Sequence, residues 1–228
     1  LILLSESFGK MVVKNILAEA AVWVFDCDST LSRIEGIVEL ARMKGLEDDI
    51  LRLTDQAMCG RIRLEDIYAE RLQMIQPSEK EMTELSRLYI ENIIQGAREL
   101  LAGLRERGNR IYIVSGGLLP ALAGLAQCLD IPLSDLRAVD IQMEDGRYAG
   151  TIPSPLTRQH GKREVLAGIR RENPGRRIVM VGDGATDLEA GADVFICFAG
   201  AVRRDEIAEK ADLAIERYEE LSEMMTDA

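Results

Sequence analysis

Histidine is nearly missing from this 228-residue chain: His160 stands alone, and the four cysteines, Cys27, Cys59, Cys128 and Cys197, are scattered with no C-x-x-C spacing. A zinc site built from Cys and His has nothing to stand on. Without a disulfide framework the cysteines read as reduced thiols, which predicts a cytoplasmic protein. Positive charge is also short, with 28 Lys and Arg against 39 Asp and Glu and a net charge of −11. That balance opposes unspecific binding to nucleic acid or to an anionic membrane surface, so a small-molecule partner is expected. Long apolar runs are absent: Leu1 to Leu4 is followed by Ser5 and Glu6, too short for a signal peptide's apolar core or a membrane span. The chain opens on Leu1 rather than Met, which leaves room for native residues ahead of it. No internal repeat or low-complexity tract appears, and a monomer or homodimer is expected.

Two acidic clusters are what the chain does have. Asp26 and Asp28 follow the apolar run Ala21 to Phe25, and Asp183 and Asp187 follow the apolar run Ile178 to Val181. Crowded carboxylates repel, and a hard divalent cation is the usual neutraliser; oxygen-only ligands at strand ends suit Mg²⁺. Phosphate chemistry is the corresponding expectation.

With 47% hydrophobic residues the chain has enough apolar surface for a sizeable core. Short β-rich runs alternate with helical patterns: Val22–Phe25, Ile111–Val114, Leu136–Ile141, Ile178–Val181, Val194–Phe198 and Leu213–Ile215. The alternation predicts an α/β fold with a mostly parallel sheet, whose ligands bind beyond the carboxyl ends of the strands. Roughly eighty residues separate the first two runs and carry a 3.6-residue period throughout, too many for one crossover helix. Four inserted helices are predicted. The first holds Ile37, Leu40 and Ala41 and ends near Gly45; the second holds Ile50, Leu51, Ala57 and Met58. The third holds Leu64, Ile67, Tyr68, Leu72 and Ile75 and stops at Pro77, after which Ser78 and Glu81 have capping-box spacing ahead of Met82, Leu85, Leu88 and Tyr89. A further helix from Ala97 to Arg107 returns the chain to the sheet, and Asp145-Gly146 predicts a tight hairpin.

Hydrolysis of a phosphate monoester needs its charge neutralised, a nucleophile in line, and a proton for the leaving alkoxide. Asp26, a carboxylate side chain, is suited to attack phosphorus. Asp28 reaches the leaving oxygen if the chain turns at Cys27, and serves as acid and then base. Ser115, ahead of Gly116-Gly117, offers a hydroxyl and backbone N–H groups to phosphoryl oxygens, and Lys162 offers fixed positive charge. Asp183 is a candidate Mg²⁺ ligand. Asp187, one turn on, either holds Lys162 or supports the metal shell, and Thr186 either touches phosphate or starts a helix.

Asp26-Cys27-Asp28-Ser29-Thr30, Ser115-Gly116-Gly117, Gly161-Lys162 and Gly182-Asp183-Gly184-Ala185-Thr186-Asp187 resemble the four motifs of the haloacid dehalogenase superfamily. Within it, Glu35 to Ala41, Ala57 to Gly60, Glu70 to Leu72 and Ile75 to Ser78 are similar to cap segments of the phosphoserine phosphatase family. The resemblance implies a Rossmann-like core at residues 1–34 and 96–228, with a C1-type four-helix-bundle cap at 35–95. It implies Asp26 as nucleophile, Asp28 as acid/base, and Mg²⁺ on Asp26, the Asp28 carbonyl and Asp183, with Lys162 and Ser115 on phosphate. It also assigns Glu35 to a substrate ammonium and Arg71 to its carboxylate, with the Met58 backbone and Gly116 nearby. The function implied is Mg²⁺-dependent hydrolysis of O-phospho-L-serine, the step that completes serine synthesis.

Leu64 departs from the family, which commonly has Phe at that cap position, and so leaves open a related phosphatase or phosphotransferase acting on another small phosphomonoester. A non-catalytic sensor of a phosphorylated metabolite would have lost Asp26, Asp28, Lys162 or Asp183, and all four are present. Haloalkanoate dehalogenation does not need an acid at position 28, and a P-type ATPase would carry Lys after its nucleophile.

Overall fold

The computed structural model describes residues 17, 20–58 and 63–226. Among these are eight strands: β1 (Val22–Phe25), β2 (Arg110–Leu118), β3 (Leu136–Val139), β4 (Ile141–Glu144), β5 (Arg147–Thr151), β6 (Ile178–Gly182), β7 (Val194–Phe198) and β8 (Leu213–Ile215). Six of them form one parallel sheet in the order β3-β2-β1-β6-β7-β8. The β-branched and aromatic side chains of β1 suit its central place: Val22, Trp23, Val24 and Phe25 are all fully buried. The chain winds outward from β1 on both sides, so the strand order switches there. The carboxyl ends of β1, β2 and β6, neighbours in the sheet, open on one crevice, where such sheets bind ligands.

Four helices connect β1 to the rest: α1 (Gly36–Lys44), α2 (Glu47–Met58), α3 (Leu64–Ile75) and α4 (Glu79–Glu91). α1 packs against α2 and α4, and α2 against α3. Periodicity located all four. Gly45 closes α1 with a left-handed backbone at φ 69°. At the head of α4, Ser78 accepts from the Glu81 N–H while the Glu81 carboxylate accepts from the Ser78 N–H, the reciprocal capping box its spacing predicts. One apolar position differs, because Leu51, expected on the buried stripe of α2, is 45% exposed. Met58 ends α2, its side chain not among those described, and Cys59 to Arg61 lie outside the described residues.

The chain returns through α5 (Ala97–Glu106), and the later helices are α6 (Leu119–Cys128), α7 (Gly161–Glu172), α8 (Ala185–Leu188), α9 (Asp205–Ala208) and α10 (Tyr218–Thr226). α6 is the surface on which α4 lies, at a close approach where a Cβ on Gly124 would meet Ser86 Oγ at 2.2 Å.

The expected strand Leu136–Ile141 is two elements. β3 ends at Val139, and the Asp140 carboxylate takes the N–H of Ile141 at 2.9 Å, breaking the ladder so that β4 leaves the sheet. β4 pairs instead with β5 through Asp145 and Gly146, both with positive φ (49° and 74°), as a two-residue hairpin requires. The hairpin grips the joint between α3 and α4: Tyr148 N–H donates to Pro77 O and Glu79 N–H to Gly146 O.

Ser78→Ala removes the side-chain half of the capping box, leaving the backbone N–H of residue 78 on Glu81, and is expected to lower stability by about 1 kcal/mol, read as a lower urea midpoint at unchanged slope. An unmoved midpoint would mean that the hairpin, not the cap, holds the start of α4.

Candidate active site

β1 stops at Phe25 because the next carbonyl is taken over by a turn. Cys27 O accepts the N–H groups of Thr30, Leu31 and Ser32 at 3.2, 2.9 and 3.0 Å, folding residues 27–32 back on themselves. Asp26 sits where strand becomes turn, 8% exposed, with Oδ1 accepting the Cys27 N–H at 2.7 Å and Oδ2 accepting from Lys162 Nζ at 2.8 Å. Asp28, one residue past Cys27, has its pKa raised first by burial, and Asp26 is close enough for its charge to help.

Lys162 reaches this point from the first turn of α7. A Cβ on Gly161 would lie 1.8 Å from Pro155 O, so only glycine lets α7 begin hard against the Pro155 turn. The ammonium, 7% exposed, donates to Asp26 and, at 2.6 Å, to Asp187 Oδ1. Burial opposes its charge, but Asp187 and Asp26 outweigh that and hold its pKa above the ordinary lysine value. Asp187 is also fixed by its other oxygen, which accepts the Gly184 N–H at 3.1 Å. Asp187 holds Lys162 and also lies beside the other carboxylates, so its contacts are compatible with both roles left open for it by the sequence.

Asp26, Asp183 and Asp187 are all buried and present ligand oxygens within 4.8 Å of one another. That donor set, all carboxylate oxygen, fits a hard divalent cation. Asp183 follows β6 and pairs closely with Arg204, which also donates from Nη1 to the Asp183 carbonyl at 3.5 Å. Arg204, just ahead of α9, was not singled out from the sequence. Arg203-Arg204 carries no motif, and only the return of the chain from β7 brings it to β6.

Ser115 is 1% exposed within an irregular stretch of β2, where the register against β3 shifts between Val114 and Leu118. Its Oγ accepts the Gly117 N–H at 3.0 Å, so one of the N–H groups expected to face phosphate is used internally. Gly116 O accepts from the Tyr68 hydroxyl at 2.7 Å, which ties α3 to this loop. Thr186, half-buried, stands in the first turn of α8.

Asp28 is held at both oxygens, Oδ1 by the Tyr89 hydroxyl at 2.7 Å and Oδ2 by the Gly36 N–H at 3.0 Å. Burial first, then the charge of Glu35, push its carboxyl up to about 8, against the lowering hydrogen bond from Tyr89. Glu35 takes the Ser29 hydroxyl at 2.6 Å, and burial raises its carboxyl as well. Arg71 is 7% exposed on α3, yet its guanidinium meets no carboxylate among the described residues. Nη1 donates to Thr54 Oγ1 at 3.2 Å, Nε has no partner, and Tyr68 lies under it at 5.8 Å. Burial lowers its pKa, and Tyr68 and Glu35 are the nearby groups that resist. A cavity of about 180 Å³ lined by Glu65, Tyr68, Pro153 and Thr157 separates α3 from the loop ahead of α7.

The chain matches the haloacid dehalogenase-like hydrolase family over residues 23–192. It is 35% identical over 213 residues to the phosphoserine phosphatase of Bos taurus, covering 92% of this chain and 95% of that one. Among solved structures, the DsGPDH of Dunaliella salina superposes with a TM-score of 0.81 at 30% identity over 93% of this chain, which spans 37% of that protein. A phospho-aspartyl intermediate analogue of phosphoserine phosphatase superposes with a TM-score of 0.75 at 28% identity, covering 90% of this chain and 98% of that one. With catalytic-type carboxylates and lysine meeting at the ends of β1, β6 and α7, this chain belongs to the haloacid dehalogenase-like hydrolases and, within them, to the phosphoserine phosphatase family.

Proposed function

We propose that this chain is a Mg²⁺-dependent phosphoserine phosphatase of the cytoplasm that converts O-phospho-L-serine to L-serine and phosphate, the closing step of serine synthesis. The observation that carries the reading is Arg71: a buried guanidinium that meets no carboxylate among the described residues, in a molecule whose Asp26 is held by Lys162. A buried cation without a counter-charge is costly, and a planar carboxylate is the partner its fork best accepts. Glu35, electrostatically linked to Arg71, supplies the opposite charge for an ammonium. An α-amino acid bearing a phosphate presents all three groups. The names carried by the relatives support the same substrate, and the free thiols Cys27, Cys128 and Cys197 suit a reducing compartment.

In the proposed cycle residues 35–95 form a cap over the crevice, and Lys162, Ser115 and Thr186 hold the phosphoryl oxygens, with the Met58 and Gly116 backbones beside the substrate. Lys162 fixes Asp26 Oδ2, which steers the carboxylate toward phosphorus. Asp26 attacks, the bond from phosphorus to the serine oxygen breaks, and Asp28 gives that oxygen its proton. Asp28, now ionised, takes a proton from the incoming water, whose oxygen displaces Asp26 from phosphorus and regenerates both carboxyl groups. Asp26, the Asp28 carbonyl and Asp183 would hold Mg²⁺, with Asp187 supporting through Lys162. The ion, when bound, supplies positive charge for the transferring phosphoryl group.

The test is turnover of a panel of phosphorylated amino acids, sugars and glycerates, with Mg²⁺ and with EDTA, and with homoserine as alternative acceptor. Phosphoserine is expected to be turned over fastest and only with the metal; a sugar phosphate turned over faster, or undiminished turnover in EDTA, would overturn the assignment. Asp26→Asn is expected to lower kcat by roughly 10⁴-fold or more while leaving the thermal transition in place, and appreciable activity would refute its role as nucleophile. Arg71→Ala is expected to raise KM for phosphoserine by about 10- to 100-fold, the worth of a charge-assisted hydrogen bond. Its effect on esters lacking a carboxylate should be small, and equal effects on both would remove Arg71 from substrate recognition.

A further inference from the structure

Tyr89 is fully buried on α4, and its hydroxyl is one of the two groups that hold Asp28, at 2.7 Å from Oδ1. The sequence marked Tyr89 only as an apolar position. The hydroxyl donates to Oδ1, which as a carboxylate oxygen can accept. It has room to do so because residue 36 has no side chain: a Cβ on Gly36 would lie 2.0 Å from Tyr89 Oη. The same residue supplies the second donor, since Gly36 N–H takes Asp28 Oδ2 at 3.0 Å. The two donors come from different helices, lie side by side, and each takes one oxygen of the carboxyl.

The backbone of Tyr89 is itself anchored to the turn that carries Asp28. Ser32 Oγ donates to Tyr89 O at 3.1 Å and to Asn92 O at 3.3 Å, Arg33 N–H donates to Asn92 O at 3.0 Å, and Ile94 N–H to Leu31 O at 3.0 Å. A hydroxyl on a helix so fastened has a fixed direction relative to residues 28–32. A carboxyl turns easily about its last torsion, which is broad rather than staggered. A general acid whose proton points away from the leaving oxygen is lost to the reaction, and displacement by about 1 Å already costs about 10²-fold.

We propose that Tyr89 is the positioning residue of the acid/base: its hydroxyl, with the Gly36 N–H, fixes the plane of the Asp28 carboxyl so that its exchangeable proton faces the leaving oxygen. The proposal rests on the reading of Asp28 as acid/base given above. It requires that loss of the hydroxyl hurt only those substrates whose departing oxygen needs a proton.

The experiment compares Tyr89→Phe, Gly36→Ala and Asp28→Asn on phosphoserine and on 4-nitrophenyl phosphate, whose phenolate leaves unprotonated. Tyr89→Phe keeps the ring and is expected to lower kcat for phosphoserine by about 10-fold while changing KM, and kcat for the nitrophenyl ester, by less than about twofold. Gly36→Ala, whose methyl group would meet the Tyr89 hydroxyl directly and drive it off Asp28, is expected to show the same contrast and covers the case in which Tyr89→Phe folds poorly. Asp28→Asn should show it more strongly, by about 10²- to 10⁴-fold on phosphoserine. If Asp28→Asn shows the contrast and both other variants slow the two substrates equally or not at all, Tyr89 is only packing and the proposal is overturned with the reading of Asp28 intact. If Asp28→Asn itself shows no contrast, the acid/base reading falls and the proposal with it.

Discussion

The ion pair of Lys162 with Asp26 and Asp187 is the interaction on which the rest of the site depends. Three buried carboxylates within 4.8 Å of one another cannot coexist unaided. Two like charges about 4 Å apart repel by about 4 kcal/mol even at an effective dielectric constant of 20. The lysine sits between two of the three, at 2.8 and 2.6 Å, and Arg204 takes the third. Taking one partner from such a buried pair typically costs about 3–5 kcal/mol, so the carboxylates and their cations are kept or lost together. The demand reaches into the backbone, because Lys162 is delivered only where Gly161 allows α7 to abut Pro155.

The parallel sheet supplies the frame, the insertion on the proposed reading supplies discrimination, and the two are joined unevenly. α4 is bound closely, lying on α6 at Gly124 and fastened through Ser32 and Asn92 to the turn after β1. α3, which carries Arg71, meets the β2 loop through the hydroxyl of Tyr68 and lies against α1, α2 and the turn at Pro155, with a cavity beside Pro153 and Thr157. The residues proposed to serve the reacting bond therefore lie on the closely bound side, and the residue proposed to read the substrate's carboxylate lies on the helix beside that cavity. That division suits a site in which chemistry tolerates little displacement and binding requires entry.

Most of this frame was legible in the sequence wherever the determinant was local. The β-branched run ending at Phe25 gave β1, Ser78 and Glu81 gave the start of α4, and Asp145-Gly146 gave the hairpin, because each depends on residues a few positions apart. Asp140 was missed because its carboxylate competes for the ladder N–H of Ile141, a choice that an apolar run does not reveal. Arg204 and Tyr89 were illegible for another reason. Arg204 is 21 residues from Asp183 and Tyr89 is 61 from Asp28, and neither lies in a motif, so only the packed fold gives them a partner. Asp187 was half legible: its spacing put it beside Asp183, and its choice of Lys162 depends on where α7 begins.

Charge then limits what can enter. The site gathers five carboxyl groups, Asp26, Asp28, Glu35, Asp183 and Asp187, in a chain already at −11, against Lys162, Arg71 and Arg204. An anionic phosphate ester approaches an unfavourable field unless it brings positive charge with it. On the proposed reading an α-ammonium does so, facing Glu35, whose carboxyl burial already disfavours as an anion. An ester lacking the ammonium would leave Glu35 with only the Ser29 hydroxyl and more distant cations, and one lacking the carboxylate would leave Arg71 Nε without a partner. A site that leaves its own buried polar groups unpaired rejects an analogue far more strongly than one that merely loses a contact. Selectivity for an amino-acid phosphate thus follows from the cost of the empty pairs, with the shape of the cap in a secondary role.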